Sequence, residues 1–291
     1  MAIPMNSQCL ECNLKRNLAL ARKLGTEEQT IAFAKALMQL HLDAPEDAPS
    51  PYLGPQVADL LHEMYGLPID RYRQEKLDSN RFFLEREDQI REKVEAAPDP
   101  VYAGLQFAIL GNYLDFSALQ DSVSFDTLED MLGKALEMEL DGDCYRRFLR
   151  DLEAGKTLLY LTDNAGEIGF DKLFAQQLQK RFPHLDITFC VRGAICQNDA
   201  TRADAQEVGL PFPLMDNGSR IAGNLPEDVS PEARAAMEQA DVVLAKGMGN
   251  VETMYGCPYH VYYAFLVKCQ HFVDIFKKPL FTPMFVEEPH K

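Results

Sequence analysis

The chain has 291 residues, 46% of them hydrophobic and 25% charged, an ordinary globular composition for one large or two modest domains. Its formal net charge of −16 excludes the basic footprint that phosphate-backbone binding needs, so no nucleic-acid partner is expected. No apolar run reaches the roughly 18 residues of a membrane-spanning helix, and the opening MAIPMNSQCLECNLKRN lacks a signal-peptide core, so no membrane partner is expected either.

Seven cysteines, an odd number thinly spread, fit a reducing compartment better than a disulfide framework, and a cytoplasmic location follows as an expectation. The spacing predicts helices over Asn13–Leu24, over Ile31–Leu42 behind the capping pattern Thr26-Glu27-Glu28-Gln29, and over Val57–Tyr65 beyond a proline-rich connector. Further helical stretches run from Tyr72 to Ala96 and from Val101 to Leu110. Strand patterns are scarce before residue 156. After it, short apolar runs at Leu158–Leu161, Ile187–Val191, Val242–Ala245 and Leu280–Phe285 alternate with helical patterns such as Phe170–Phe182. Strands alternating with helices imply parallel pairing with both faces covered. The expected organisation is a helical domain over 1–150 and an α/β domain over 151–291.

In an open α/β sheet the ligand crevice lies beyond the carboxyl ends of the strands. The first strand delivers Asp163-Asn164 there, the second leads to Gln197-Asn198-Asp199, and the third to Lys246-Gly247-Met248-Gly249-Asn250. Carboxylate and amide oxygens are hard ligands suited to Mg²⁺ or Mn²⁺, usually completed by water and substrate phosphate. The N–H groups of Ala165-Gly166-Glu167, opening a helix, could receive an anion. Lys246 is a point charge for a phosphate oxygen. Together these types describe metal-assisted attack of water on a phosphoryl group, with metal and lysine reversing the negative sign of the chain locally.

Each signal has a plainer reading. Asp163-Asn164 could be a capped strand-to-helix turn, and Asp199 the cap of Thr201–Val208. Asn112 could simply end a helix, with Asp115 capping Ser117–Leu119. Lys76 and Asn80, one turn apart, either grip phosphate over the cleft or lie on a charged solvent face. Cys9-x-x-Cys12 reads as a redox pair, half a metal site or two helix-face thiols, with Cys269 and His271 or Cys257 and His260 as conceivable partners and no catalytic role expected. Met254 to Phe265 could shape the substrate pocket.

Rival motifs fail at single positions. Glu252 stands where a dinucleotide fingerprint needs glycine, and Gly66 where a zinc-protease motif opened by His62-Glu63 needs its second histidine. Gly155-Lys156-Thr157 is no phosphate loop, because Arg150 stands where that motif needs its first glycine. Ala165 occupies the position of the second aspartate in an aspartyl-phosphate mechanism. The alternative of a different class is a non-catalytic metabolite-binding or regulatory protein that keeps the pocket.

The blocks TDNAGE, NDAT and KGMGNVET resemble those of the DUF89 damage-control phosphatases, metal-dependent enzymes acting on damaged or surplus phosphometabolites. GNYLDF and the segment Gly218–Gly223 resemble them too, and Cys9-Leu10-Glu11-Cys12 is similar to the prokaryotic-type branch. The resemblance implies a three-layer α/β/α, Rossmann-like, parallel-rich sheet joined to an N-terminal all-helical bundle. It implies a divalent cofactor (Mn²⁺, Co²⁺, Ni²⁺ or Mg²⁺) held by Asp163, Asn164 and Asp199, with Lys246, Gly249 and Asn250 on phosphate. Gly166, Glu167, Asn112 and Asn80 complete the expected phosphate set, and the partner is a small-molecule phosphate ester such as a sugar phosphate, nucleotide or cofactor precursor. Arg220-Ile221 replaces an acidic–apolar pair of that family, so no role passes to either. Oligomeric state is not readable from the residues.

Overall fold

The structure is a computed structural model that describes residues 2–114 and 125–288. Helix α1 (Ser7–Leu24) begins earlier than its apolar periodicity predicts, because the Asn6 side chain accepts a hydrogen bond from Cys9 N and caps it. Cys9 and Cys12 therefore stand in its first turns. Helix α2 (Glu27–Asp43) starts at the reciprocal Thr26/Gln29 cap that the sequence signals. Helix α3 (Gly54–Tyr65) closes against both around Ala21, Phe33, Leu37, Leu53, Val57 and Leu61, a core of their own.

The stretch expected as one helix from Tyr72 splits into α4 (Arg73–Leu84) and α5 (Glu87–Ala96). Helix α6 (Pro100–Gly111), capped by Asp99, is buried along almost its whole length. After it come α7 (Phe125–Lys134) and α8 (Gly142–Ala154). Asp115 and the Ser117–Leu119 helix start lie outside the described residues.

The sheet consists of β1 (Thr157–Leu161), β2 (Asp186–Val191), β3 (Leu214–Asp216), β4 (Val242–Lys246), β5 (Val261–Leu266) and β6 (Pro283–Glu287). Their order is β3-β2-β1-β4-β5-β6, all parallel except β6, which runs antiparallel to β5. The chain steps outward from β1 through β2 to β3, then returns to the other side of β1 as β4. That reversal puts a crevice beyond the carboxyl ends of β1 and β4.

Side-chain alternation splits the strands between two cores. Leu158 and Tyr160 of β1 pack with α6, α8 and α9 (Glu167–Arg181), whereas Leu159 and Leu161 pack with α11 (Pro231–Gln239), α12 (Gly247–Met254) and α13 (Gln270–Phe276), the short α10 (Arg202–Glu207) lying between α9 and α11 in the chain. Burying each such large apolar side chain contributes about 1.5–3 kcal/mol, which fixes the register of every strand. The α/β class and its covered, mostly parallel sheet are as the sequence leads one to expect. Residue 150 marks where strands begin but does not divide the packing, since α6 and α8 share a core with the sheet.

Two local expectations change. Val261–Leu266, in the segment thought to shape the pocket, is a fully buried strand. The last strand begins only at Pro283, because Leu280 and Phe281 form an exposed turn with Phe281 at φ 63°. Strand β3 gave no apolar run to read, being three half-buried residues.

Candidate active site

Two backbone hydrogen bonds assemble the site. Ala200 N donates to Asp163 O at 2.7 Å and Ala165 N to Asn198 O at 2.9 Å, so the loop after β2 pairs with the loop after β1 through an isolated Asn164–Asp199 bridge. Asp163, Asn164 and Asp199 thereby share one wall of a cavity of about 410 Å³, and all three are largely buried. Its volume suits a small metabolite. Asn112 and Asn164 both donate to Asp163 Oδ2, at 2.9 and 2.8 Å, and both also donate to Glu167 Oε2. These bonds commit the Asn164 amide nitrogen and make its Oδ1 the atom offered to a ligand.

Beneath the acids lies Arg192, the first residue after β2. Its Nε donates to Asp199 Oδ2 at 2.6 Å, and its Nη2 lies 3.8 Å from Asp163 Oδ1. Burial alone would lower its affinity for the proton, but Asp199 and Asp163 outweigh that and raise it above the ordinary arginine value. One guanidinium thus makes it tolerable to bury two carboxylates side by side.

Lys246 does not face the cavity. Its ammonium is buried and donates to Ala108 O at 2.8 Å, Glu167 Oε1 at 2.7 Å and Asp171 Oδ1 at 2.7 Å, which uses all three hydrogens. Burial opposes its charge, yet Asp171 and Glu167 hold its pKa above the ordinary lysine range. Asp171 is pushed upward by burial, with Lys246 only partly offsetting it, and it accepts from Tyr160 Oη.

Other expected phosphate contacts also serve the frame. Gly166 N donates to Asn80 Oδ1 at 2.6 Å rather than facing the cavity, and Asn80 Nδ2 donates to Glu207 and Asp204. Asn80 is fully buried, and Lys76 beside it forms a buried 2.8 Å pair with Asp204, so neither lies on a solvent face. Gly166 itself stands at φ 75°, with Ser79 Cβ only 2.7 Å from where a side chain would begin. Asn250 is buried between strands: its Nδ2 donates to Lys246 O and Thr162 O, and its Oδ1 accepts from Asn224 and Arg192. Of that loop, Gly249 reaches the cavity wall.

Of the conceivable partners of Cys9 and Cys12, Cys269 and His271 do lie beside them, on another wall of the cavity. Cys9, Cys12 and Arg16 of α1 line it, with Lys268, Cys269 and His271 at the start of α13, and Asn6 Nδ2 holds His271 Nδ1 at 2.7 Å. The N-terminal Cys-x-x-Cys is therefore part of the cavity, although all seven cysteines are free thiols. Burial raises the Cys9 thiol above its usual range and pushes Cys269 up to about 11.

The three residues at the bridge offer carboxylate and amide oxygens and fit a hard divalent cation. Elsewhere, Asp151, His260 and Glu287 place ligand-type atoms within 4.8 Å of one another. That group lies at the amino ends of β4 and β5, the far edge of the sheet, where Arg147 already pairs with Glu287 and Tyr262 Oη donates to Asp151.

A model of the damage-control phosphatase ARMT1-like domain matches residues 5–281, and the chain belongs to that family. A damage-control phosphatase of Archaeoglobus fulgidus is 29% identical over 254 residues, which cover 84% of this chain and 85% of the relative. An uncharacterized protein of Methanocaldococcus jannaschii is 29% identical over 265 residues, 87% of this chain and 84% of that one. The crystal structure of a DUF89 family protein from Pyrococcus horikoshii superposes with a TM-score of 0.82 at 22% identity, covering 99% of this chain and 100% of the other, so the two share a fold. The relatives support a phosphatase role.

Proposed function

We propose that the protein is a metal-dependent phosphomonoester hydrolase acting on small phosphometabolites in the cytoplasm. The observation that carries this reading is the meeting of Asp163, Asn164 and Asp199, from two strand ends, on one wall of a cavity at the switch point of the sheet. Those three residues would hold the cation. When bound, it supplies charge neutralisation and Lewis acidity toward a phosphoryl oxygen. Mg²⁺, Mn²⁺, Co²⁺ and Ni²⁺ all suit oxygen ligands of this kind.

The protein's own groups do the positioning. Asn112 and Asn164 fix the rotamer of Asp163 from two directions, and Arg192 does so for Asp199. Lys246 clamps Glu167 and Asp171 beneath them, and we read it as a positioning residue rather than a phosphate contact. Arg16 and Lys268 bring positive charge to the cavity wall, where an ester's phosphate or its remaining polar groups would lie. Met248 and Gly249 also line the cavity.

The test is release of phosphate from 4-nitrophenyl phosphate, measured with chelator and after restoring each divalent ion in turn. Activity abolished by chelator and by Asp163→Ala, with tight cation binding lost in the folded variant, is the expected result. Metal-independent turnover, or unchanged cation stoichiometry in Asp163→Ala, would overturn the reading.

A further inference from the structure

The other acids of the site sit against a cation: Asp163 and Asp199 against Arg192, Glu167 and Asp171 against Lys246. Glu252 is the exception. It lines the same cavity as Asp163, Asn164 and Asp199, yet among the described residues no hydrogen bond or ion pair engages its carboxyl. Its surroundings suit a neutral acid. Cys9 of α1 and Cys269 at the start of α13 feel its charge from across the cavity, and both are thiols that burial keeps protonated. The other titratable and charged groups around the cavity are Cys12 and Arg16 of α1, Lys268 and His271 beside Cys269, and Asp163 and Asp199 at the bridge. Burial alone sets the Glu252 carboxyl, which rises to about 8.

Its place in α12 directs this acid toward the reacting centre. Met248, Gly249 and Glu252, one helical turn apart, share the face that lines the cavity. Gly247, where the helix begins, abuts Asp163 Oδ2. Glu252 stands about 7.5 Å further along the axis, at about 1.5 Å per residue. Helical side chains lean toward the N-terminus of their helix, so the carboxyl reaches back along the cavity toward Asp163.

We propose that Glu252 is the general acid of the hydrolysis, giving its proton to the bridging oxygen of the ester as that oxygen leaves phosphorus. The proposal rests on the phosphatase reading and narrows its substrate class. Water forms the new P–O bond while the bond from phosphorus to the bridging oxygen breaks. The Glu252 proton passes to that oxygen, which departs as a neutral alcohol. Phosphate leaves with the oxygen of the water, and the proton that water sheds balances the one the carboxylate regains from solvent. Such an acid matters where the leaving group is a basic alkoxide. It marks the substrates as esters of aliphatic alcohols, sugars among them, rather than acyl phosphates or anhydrides.

The experiment compares 4-nitrophenyl phosphate, whose phenolate leaves without a proton, with benzyl phosphate, whose alkoxide needs one. Both are assayed with divalent cation present, on the parent and on Glu252→Gln. The variant should keep its 4-nitrophenyl rate and lose about 10²–10⁴-fold in kcat on benzyl phosphate. In the parent, the ratio of benzyl to 4-nitrophenyl kcat/KM should fall about tenfold per pH unit above about 8, and in the variant it should stay flat. Equal losses on the two esters, or a parental ratio independent of pH, would overturn the proposal and leave the phosphatase reading standing. The parental ratio needs no variant, so it decides even where Glu252→Gln fails to fold. Absence of turnover on either ester in the parent would overturn both.

Discussion

Arg192 bridges Asp199 and Asp163 from below, 2.6 Å from the first and 3.8 Å from the second, and all three side chains are largely buried. This arginine brings positive charge to both acids. Arg192→Met should therefore destabilise the metal-free protein by about 3–5 kcal/mol, the usual result of leaving buried charge unpaired. Divalent cation should restore more stability to the variant than to the parent, because it replaces the missing charge. Thermal melts with and without Mn²⁺ read both effects; an equal metal-induced shift in the two proteins would show that Arg192 does not compensate these acids.

Lys246→Met tests the buried clamp. Removing the ammonium leaves Glu167 and Asp171 facing each other without a counter-charge, so about 3–5 kcal/mol of stability should be lost. The loss should be smaller in acid, where Asp171, pushed upward by burial, goes neutral. Inhibition by free phosphate, compared between parent and variant in conditions where both are folded, separates the roles. An unchanged inhibition constant supports positioning, and a large rise would return Lys246 to the phosphate.

Glu252 lines the cavity with partial solvent contact, and burial pushes its carboxyl from 4.5 up to about 8. A raised folded-state value means the protonated form is favoured on folding. Its contribution to stability is thus complete below pH 4.5 and is lost as the pH rises toward 8. Glu252→Gln, which stays neutral, should flatten the fall in melting temperature across that window in metal-free protein. Parallel curves for parent and variant would place the carboxyl at an ordinary value.

The chemistry of the site was more legible than its architecture. Asp163-Asn164 announces itself as polar residues cutting off an apolar run, and Asp199 sits just beyond the next. What joins them is a backbone bridge between loops far apart in sequence, which no local pattern encodes. Lys246 was misdirected although a signal was present. Strand alternation groups it with Val242 and Leu244, whose side chains enter the core under α6 and α9, so its ammonium was bound for Glu167 and Asp171. Cys9 and Cys12 reach the cavity because α1 starts at Asn6 and docks on α13, a contact between the two ends of the chain. Arg192 carried no motif at all; its position, one residue past β2, was its only mark.

Gly247 supplies the sharpest local test. It follows β4 with φ 76°, and a Cβ there would lie 1.9 Å from Asp163 Oδ2. Left-handed backbone costs a non-glycine residue roughly 1 kcal/mol, which the fold would survive. The overlap is different in kind: no rotation of a methyl carbon relieves it, so Asp163 must swing away from the hydrogen bonds given by Asn112 and Asn164. Gly247→Ala should therefore keep most of its thermal stability while divalent-cation affinity falls about 10–100-fold, the scale seen when a ligand's supports are disturbed. Calorimetric titration of Mn²⁺ beside a melting curve separates the two effects. Parental metal affinity in a folded Gly247→Ala protein would mean that the Asp163 carboxylate is not where the cation binds.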